Sequence, residues 1–177
     1  PLYSSAASDV YKRQVCYPAT VFTEALPAID CGRGTGLAFR LVGAPWLPAE
    51  ALRERIEQYG LPGIRLHPHR YRAALGPFRD RVIDGLRISV VDAVRFRPAR
   101  LATAIVASAV AFREGADLWS SEDARPGFFD KLFGTEGVRR VLREGRPLQE
   151  MWRLWLRSSA RFRRQREGVL LYAPARS

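Results

Sequence analysis

The sequence predicts an α+β fold, with a short-stranded mixed sheet packed by about four helices. Three observations carry this. Leu86, Ile88 and Val90 alternate with Arg87 and Ser89, the period-two pattern of a strand with one buried face. Leu52, Ile56 and Tyr59, and later Leu101, Ile105, Ala109 and Phe112, recur at the helical period. Glycine and proline separate these stretches often enough that every element is short and the types interleave.

Taken in order, Pro1–Gln14 has no sustained apolar period. It reads as translated sequencing-adapter sequence outside the domain, which then occupies residues 15–177. Val15–Phe22 reads as extended chain, an edge strand because Pro18 interrupts it. Phe39–Val42 reads as a short strand, and Gly43-Ala44-Pro45-Trp46 leads out of it. Pro48–Tyr59 is a helix, with proline at its start, Glu50 in the first turn, and Gly60 and Pro62 beyond its end. Ile64–His67 alternates as a strand that stops at Pro68, and Tyr71–Asp84 reads as a connection. Phe96-Arg97-Pro98 opens a second helix that runs to about Arg113, where Gly115 follows. Asp117–Gly127 is a loop in which Trp119 is either an anchor to the core or a platform for a sugar face. Phe128–Phe133 is a helical turn. Thr135 caps a helix over Glu136–Glu144, and Gly145 stops it. Pro147 starts a last helix to about Glu167. Its stripe of Leu148, Met151, Trp152, Trp155, Ser159 and Phe162 reads as a core face with solvated arginines. Val169–Tyr172 reads as a final strand.

Bulk composition narrows the function classes. The 177 residues are 47% hydrophobic, enough for one domain with a real core and too apolar for disorder. No apolar run reaches membrane-spanning length, and no secretory signal is visible at Pro1. The net charge of +11 points to nucleic acid or an anionic surface as partner. Nearly all of that charge is arginine, Lys12 and Lys131 being the only lysines, and no basic–aromatic recognition motif accompanies it. Nucleic acid is therefore the disfavoured partner. Cys16 and Cys31 are either a disulfide or two buried thiols. His67 and His69 flank Pro68 without a third ligand nearby, so no metal site is expected and no cofactor is implied.

The chemistry centres on Gly32-Arg33-Gly34-Thr35-Gly36. Three glycines in five residues allow tight turning and close approach to another surface. Arg33 projects from between two of them, a setting that suits a guanidinium binding a carboxylate or polar ligand. The same residues also fit a plain glycine turn before a strand. Glu24 and Asp30 are the only carboxylates near this loop. No nucleophile elbow or phosphate-cradling loop occurs.

Tyr17-Pro18-Ala19-Thr20, Glu24-Ala25-Leu26, Gly32-Arg33-Gly34-Thr35, Phe39 and Gly43-Ala44-Pro45-Trp46 together resemble the exo-β-N-acetylmuramidase (NamZ-type) glycosidases, in their C-terminal domain. The likeness continues through Leu61-Pro62-Gly63-Ile64-Arg65, Phe96-Arg97-Pro98, Phe129–Thr135 and Leu170-Leu171-Tyr172. It departs at Ala25, Leu26 and Pro27, where the family usually has a small polar set. The resemblance implies a bacterial peptidoglycan hydrolase that removes terminal N-acetylmuramic acid from the non-reducing end of peptidoglycan fragments. It implies that the catalytic residues lie in an N-terminal Rossmann-like domain and none in this fragment, which closes the substrate cleft and is inactive alone. Carried over by position, Glu24, Arg33 and Thr35 are the substrate-binding residues. A muropeptide substrate, the N-terminal catalytic domain as partner and an exported, periplasmic or extracellular location follow from the same resemblance. Two other readings stand beside it: a non-catalytic basic domain binding nucleic acid or an anionic surface, and a structural domain with an apolar face meant for a partner domain.

Overall fold

The computed structural model describes residues 2–112 and 118–170, with side chains from residue 10 onward. Two compact units form, Pro1–Arg146 and Pro147–Ser177. The first contains α1 (Leu2–Thr20), a 3-10 turn (Val21–Glu24), β1 (Leu41–Val42), α2 (Ala49–Glu57), β2 (Ile64–Arg72), β3 (Val82–Val90), α3 (Pro98–Val110), a second 3-10 turn (Leu118–Ser120), α4 (Pro126–Phe133) and α5 (Gly137–Arg143). The second contains α6 (Leu148–Arg166) and a 3-10 turn, Glu167–Val169.

The α+β class holds. The sheet is purely antiparallel rather than mixed, in the order β1-β3-β2, and six helices are present among the described residues. The β2–β3 hairpin pairs in regular register from Ile64 opposite Val90 to Arg72 opposite Val82. β2 therefore does not stop at Pro68, and both ends of Tyr71–Asp84 (Tyr71–Arg72 and Val82–Asp84) are strand, with the connection confined to residues 73–81. The reason is position. β2 lies at the sheet edge, and an edge strand can turn a residue without an N–H outward, so the ladder survives.

Strand alternation gives the sheet two different faces. One carries Leu66, Leu86 and Ile88, all buried, and α2 packs against β2 and β3. On the other, Leu41, Tyr71, Ala73 and Ile83 form a buried cluster that Leu37 and Phe78 cover. α3 contacts α1, α2 and α5 and is buried almost all round, from Leu101 to Ala109, rather than on a single stripe. Its alanines keep those neighbours close.

Val15–Phe22 is helical rather than extended. It forms the last turn and a half of α1 and the start of the following 3-10 turn. Pro18 sits two residues from the helix end, where the missing N–H costs one bond and the chain then changes direction. Cys16, Ala19 and Phe22 are core residues. The expected glycine stops hold at Gly60 and Gly145, whereas α5 begins one residue later than expected, with Glu136 rather than Thr135 at its N-cap. Gly60, Gly134 and Gly145 take positive φ just past α2, α4 and α5. The Thr135 hydroxyl accepts from the Gly137 N–H at 3.1 Å at the start of α5. Arg139 on α5 grips Asp130 on α4 with two charge-assisted bonds, 2.9 and 2.7 Å, which fixes that corner.

In the second unit, Leu148, Met151 and Trp152 are buried, but the stripe does not stay buried. Phe162 is 59% exposed, and Leu154 and Leu156 are also exposed. Of the expected strand Val169–Tyr172, Val169 closes a 3-10 turn, and Leu171 and Tyr172 lie outside the described residues.

Candidate functional site

The glycine-rich segment folds as a coiled loop held on three sides. Gly32 and Gly34 both take positive φ, 71° and 82°, which a side chain resists. A Cβ on Gly32 would lie 2.7 Å from Leu41 Cδ1, and one on Gly34 2.9 Å from Ala74 Cβ. The glycines thus serve both turning and close approach to the sheet.

Phe39 is the unexpected residue. It sits at φ 62°, unusual for an aromatic, so the strand begins at Leu41 and not at Phe39. Its N–H donates to the Cys31 carbonyl at 2.9 Å, and its own carbonyl accepts the Thr20 hydroxyl at 3.1 Å. Its ring meets Tyr17 edge-on at 4.7 Å. Arg13 donates from Nη2 to the Gly36 carbonyl at 2.9 Å, so α1 braces the same loop.

Asp30 anchors the loop from below. Its Oδ1 accepts the Gly32 N–H at 2.6 Å and the Tyr71 hydroxyl at 2.9 Å. Its backbone exchanges bonds with Gly43 at 2.8 and 3.1 Å. Burial and then the Asp30 charge raise the Tyr71 pKa, so the phenol stays protonated and donating. Asp30 is therefore spent on structure and is not a free carboxylate. Sequence reading missed Tyr71 as its partner. The period-two run His67, His69, Tyr71 continuing past Pro68 was the available signal.

The three residues proposed from sequence fall together around this loop. Glu24 ends the first 3-10 turn, and its Oε1 faces Arg33 Nη1 at 3.9 Å, both side chains part-exposed. Such an open pair is weak and can be broken by a ligand. The Thr35 hydroxyl donates to the Gly32 carbonyl at 2.7 Å and accepts the Leu37 N–H at 3.1 Å, which locks the turn under Arg33. Arg125, just before α4, donates its guanidinium to the Glu24 carbonyl and its N–H to the Ala25 carbonyl at 2.9 Å. Ala25 and Leu26 are fully buried in the core. Trp46 donates to the Ala28 carbonyl at 3.0 Å.

Trp119 is a core anchor. It is 6% exposed and meets Phe129 edge-on at 4.5 Å. Cys16 and Cys31 are both free and buried. Desolvation lifts each thiol to about 11. A raised folded-state pKa means the folded chain keeps its protons where the unfolded chain loses them. Stability is then complete below pH 9 and falls as pH rises toward 11, by on the order of 2 kcal/mol per thiol. Denaturant titrations at pH 8, 9.5 and 11 should show this slope, and Cys31→Ala should flatten it relative to its own baseline. At neutral pH a thiol reagent should react only after unfolding.

His67 is exposed and His69 half-buried on β2. Among the described residues no group of three or more metal-ligating side chains forms, and no helix is long and apolar enough to cross a membrane.

Comparison with known proteins fits this architecture. The family model for the C-terminal domain of the exo-β-N-acetylmuramidase NamZ matches residues 15–172. Residues 1–14 lie outside that match. The peptidoglycan β-N-acetylmuramidase NamZ of Bacillus subtilis strain 168 is 25% identical over 158 residues, covering 88% of this chain. The chain spans only 36% of that relative's length. A crystal structure of a DUF1343 family protein from Bacteroides fragilis NCTC 9343 superposes with a TM-score of 0.77 at 19% identity. That superposition covers 90% of this chain and 42% of the other. With nearly the whole sequence matched and the same fold in a solved structure, the chain belongs to the family of NamZ C-terminal domains.

Proposed function

We propose that this domain serves a bacterial peptidoglycan glycosidase that removes terminal N-acetylmuramic acid from the non-reducing end of peptidoglycan fragments. Glu24, Arg33 and Thr35 form its contribution to the substrate cleft. The observation that carries this reading is the braced glycine loop. Four separate hydrogen-bonded supports, from Asp30, Thr35, Arg13 and Thr20, hold a loop whose exposed product is one arginine loosely paired to one glutamate. Preorganisation of that kind is what a recognition group needs.

In this reading Arg33 exchanges Glu24 for the lactyl carboxylate of muramic acid, a stronger charge-assisted pair once water is excluded. Thr35 keeps the loop at the right height. Glycoside hydrolysis needs a general acid and a second carboxylate or equivalent. As the family resemblance implies, the catalytic acid in this reading belongs to an N-terminal partner domain, and this domain closes the cleft and is inactive alone; Asp30 bonded to Tyr71 and Glu24 facing Arg33 are consistent with that. Residues 1–14 precede the stretch that matches the family, and Arg13 among them reaches the loop from α1. The enzyme acts outside the cytoplasm, where such glycans lie. Arg33→Ala in the intact enzyme tests the assignment, by comparing substrates with and without the carboxylate.

A second reading rests on α6, where Arg153, Arg157, Arg161, Arg163, Arg164 and Arg166 are all exposed. A polyanion or anionic surface would suit that helix. Binding of this kind should weaken steeply and log-linearly with salt. A flat response between 50 and 200 mM, read by fluorescence anisotropy with a labelled polyanion, removes it.

A further inference from the structure

The β2–β3 hairpin pairs its charges well in one place and not at all in another. Arg70 lies directly opposite Asp84, and the two make a forked pair at 2.6 and 3.0 Å. Asp84 is the only carboxylate in the three strands. On the opposite face the register places His67 against Arg87 and Arg65 against Ser89. Strand alternation puts all four side chains on that one face. Directly opposed residues stand within contact reach, and basic groups so placed repel.

Arg87 sits in the central strand, flanked by Leu41 of β1 on one side and His67 of β2 on the other. Its Nε is buried with no hydrogen-bond partner. No side chain of Arg65, His67 or Arg87 makes a hydrogen bond or ion pair among the described residues, whereas Arg53, Arg72, Arg97 and Arg139 each bond a carboxylate or carbonyl. A buried, unpaired guanidinium nitrogen is costly unless something else satisfies it. Arg65 and His67 are exposed, so the way in is open. The same face carries Leu41, Tyr71 and Ile83 beneath the Arg33 loop, but Arg65, His67, Arg87 and Ser89 have no part in the cleft reading.

We propose that Arg65, His67 and Arg87, with the Ser89 hydroxyl, form an oxyanion-binding site at the exposed Arg65–His67 edge of this face, for a ligand that presents a carboxylate or phosphate group. Arg87 supplies a planar fork fixed by its place in the sheet. Arg65 and His67 close over the ligand from the edge strand, and Ser89 offers a neutral donor. The ligand replaces the carboxylate that the strands themselves lack.

The test is amide-resolved NMR of the 177-residue chain titrated with inorganic phosphate, N-acetylmuramic acid and N-acetylglucosamine at millimolar concentration. Saturable shifts at Arg65, His67, Arg87 and Ser89 with an anionic probe are expected. A response to both anions means general oxyanion recognition. A response to N-acetylmuramic acid alone assigns a carboxylate ligand, and to phosphate alone a phosphate ligand. Arg87→Gln should weaken binding about tenfold or more. Arg70→Gln, on the other face, should leave it unchanged. If Arg87→Gln loses its folded spectrum, Arg65→Gln and His67→Gln, both at exposed positions, take its place and should each weaken binding. Absence of saturable shifts with either anion overturns the proposal. So does equal binding of N-acetylglucosamine, or full retention of binding in the hairpin variants.

Discussion

Replacing Gly85 with valine is expected to destabilise the chain by about 3 kcal/mol, and to loosen the Arg33 loop before anything else. Gly85 lies in β3 where Gly43 crosses it. A Cβ there would stand 2.7 Å from the Val42 carbonyl oxygen, 3.0 Å from the Tyr71 ring and 3.3 Å from the Gly43 Cα. Two of those neighbours are backbone, which cannot rotate away. Gly43 meets the mirror problem, with Gly85 Cα 2.9 Å from its own hypothetical Cβ. The two glycines therefore let the outgoing end of the loop lie directly on the sheet. Valine forces Gly43 outward, breaks its paired bonds to Asp30 and displaces Asp30 from Tyr71. Thermal unfolding should show a midpoint lower by roughly 6–12 °C for a chain of this size. Gly85→Ala should be milder, and an unchanged midpoint in the valine variant would mean that the close crossing does not exist.

Asp30→Ala should cost about the same, roughly 3 kcal/mol, by a different mechanism. It removes the acceptor for the Gly32 N–H and for the Tyr71 hydroxyl together. Tyr71 is 8% exposed, so its hydroxyl is left without water as a substitute. The double variant Asp30→Ala/Tyr71→Phe should therefore be less destabilised than the two single changes added together, because the stranded hydroxyl is gone. Asp30→Asn keeps an acceptor oxygen in place and should retain most of the stability. Strict additivity in the denaturant-measured cycle would show that the two side chains do not interact.

Local signals were legible in the sequence where local physics decided the outcome. Pro48, Leu52, Ile56 and Gly60 define α2 by cap, stripe and stop, and the helix lies where they put it. Gly145 stops α5 in the same way. Nonlocal context decided the rest. Pro68 marks a strand end in isolation, but at a sheet edge it is tolerated, and that place is set by β3, some twenty residues on. Val15–Phe22 contains β-branched and aromatic residues around a proline, yet burial of Cys16 and Ala19 makes it helix. Phe39 belongs to a strand by propensity, but its bonds to Cys31 and Thr20 hold it at positive φ.

The candidate site divides along the same line. The glycine spacing exposed the Arg33 loop directly. Its chief support, Tyr71 to Asp30, joins residues 41 apart and follows from no local pattern. Trp119 had two readings in the sequence, and only its packing on Phe129 separates them. The exposed Phe162 shows the limit of helical periodicity, which tells which residues share a face but not whether that face is covered.

The central proposal is that Arg33 recognises the carboxylate of a muramic acid unit. The most direct measurement is kcat/KM of the intact enzyme and its Arg33→Ala variant on a terminal N-acetylmuramic acid substrate and on the same substrate with the lactyl carboxylate reduced to an alcohol. The expected result is a loss of about tenfold or more on the carboxylate substrate and little loss on the alcohol. Equal losses on both would contradict the account, because the arginine would then hold the loop and not the substrate.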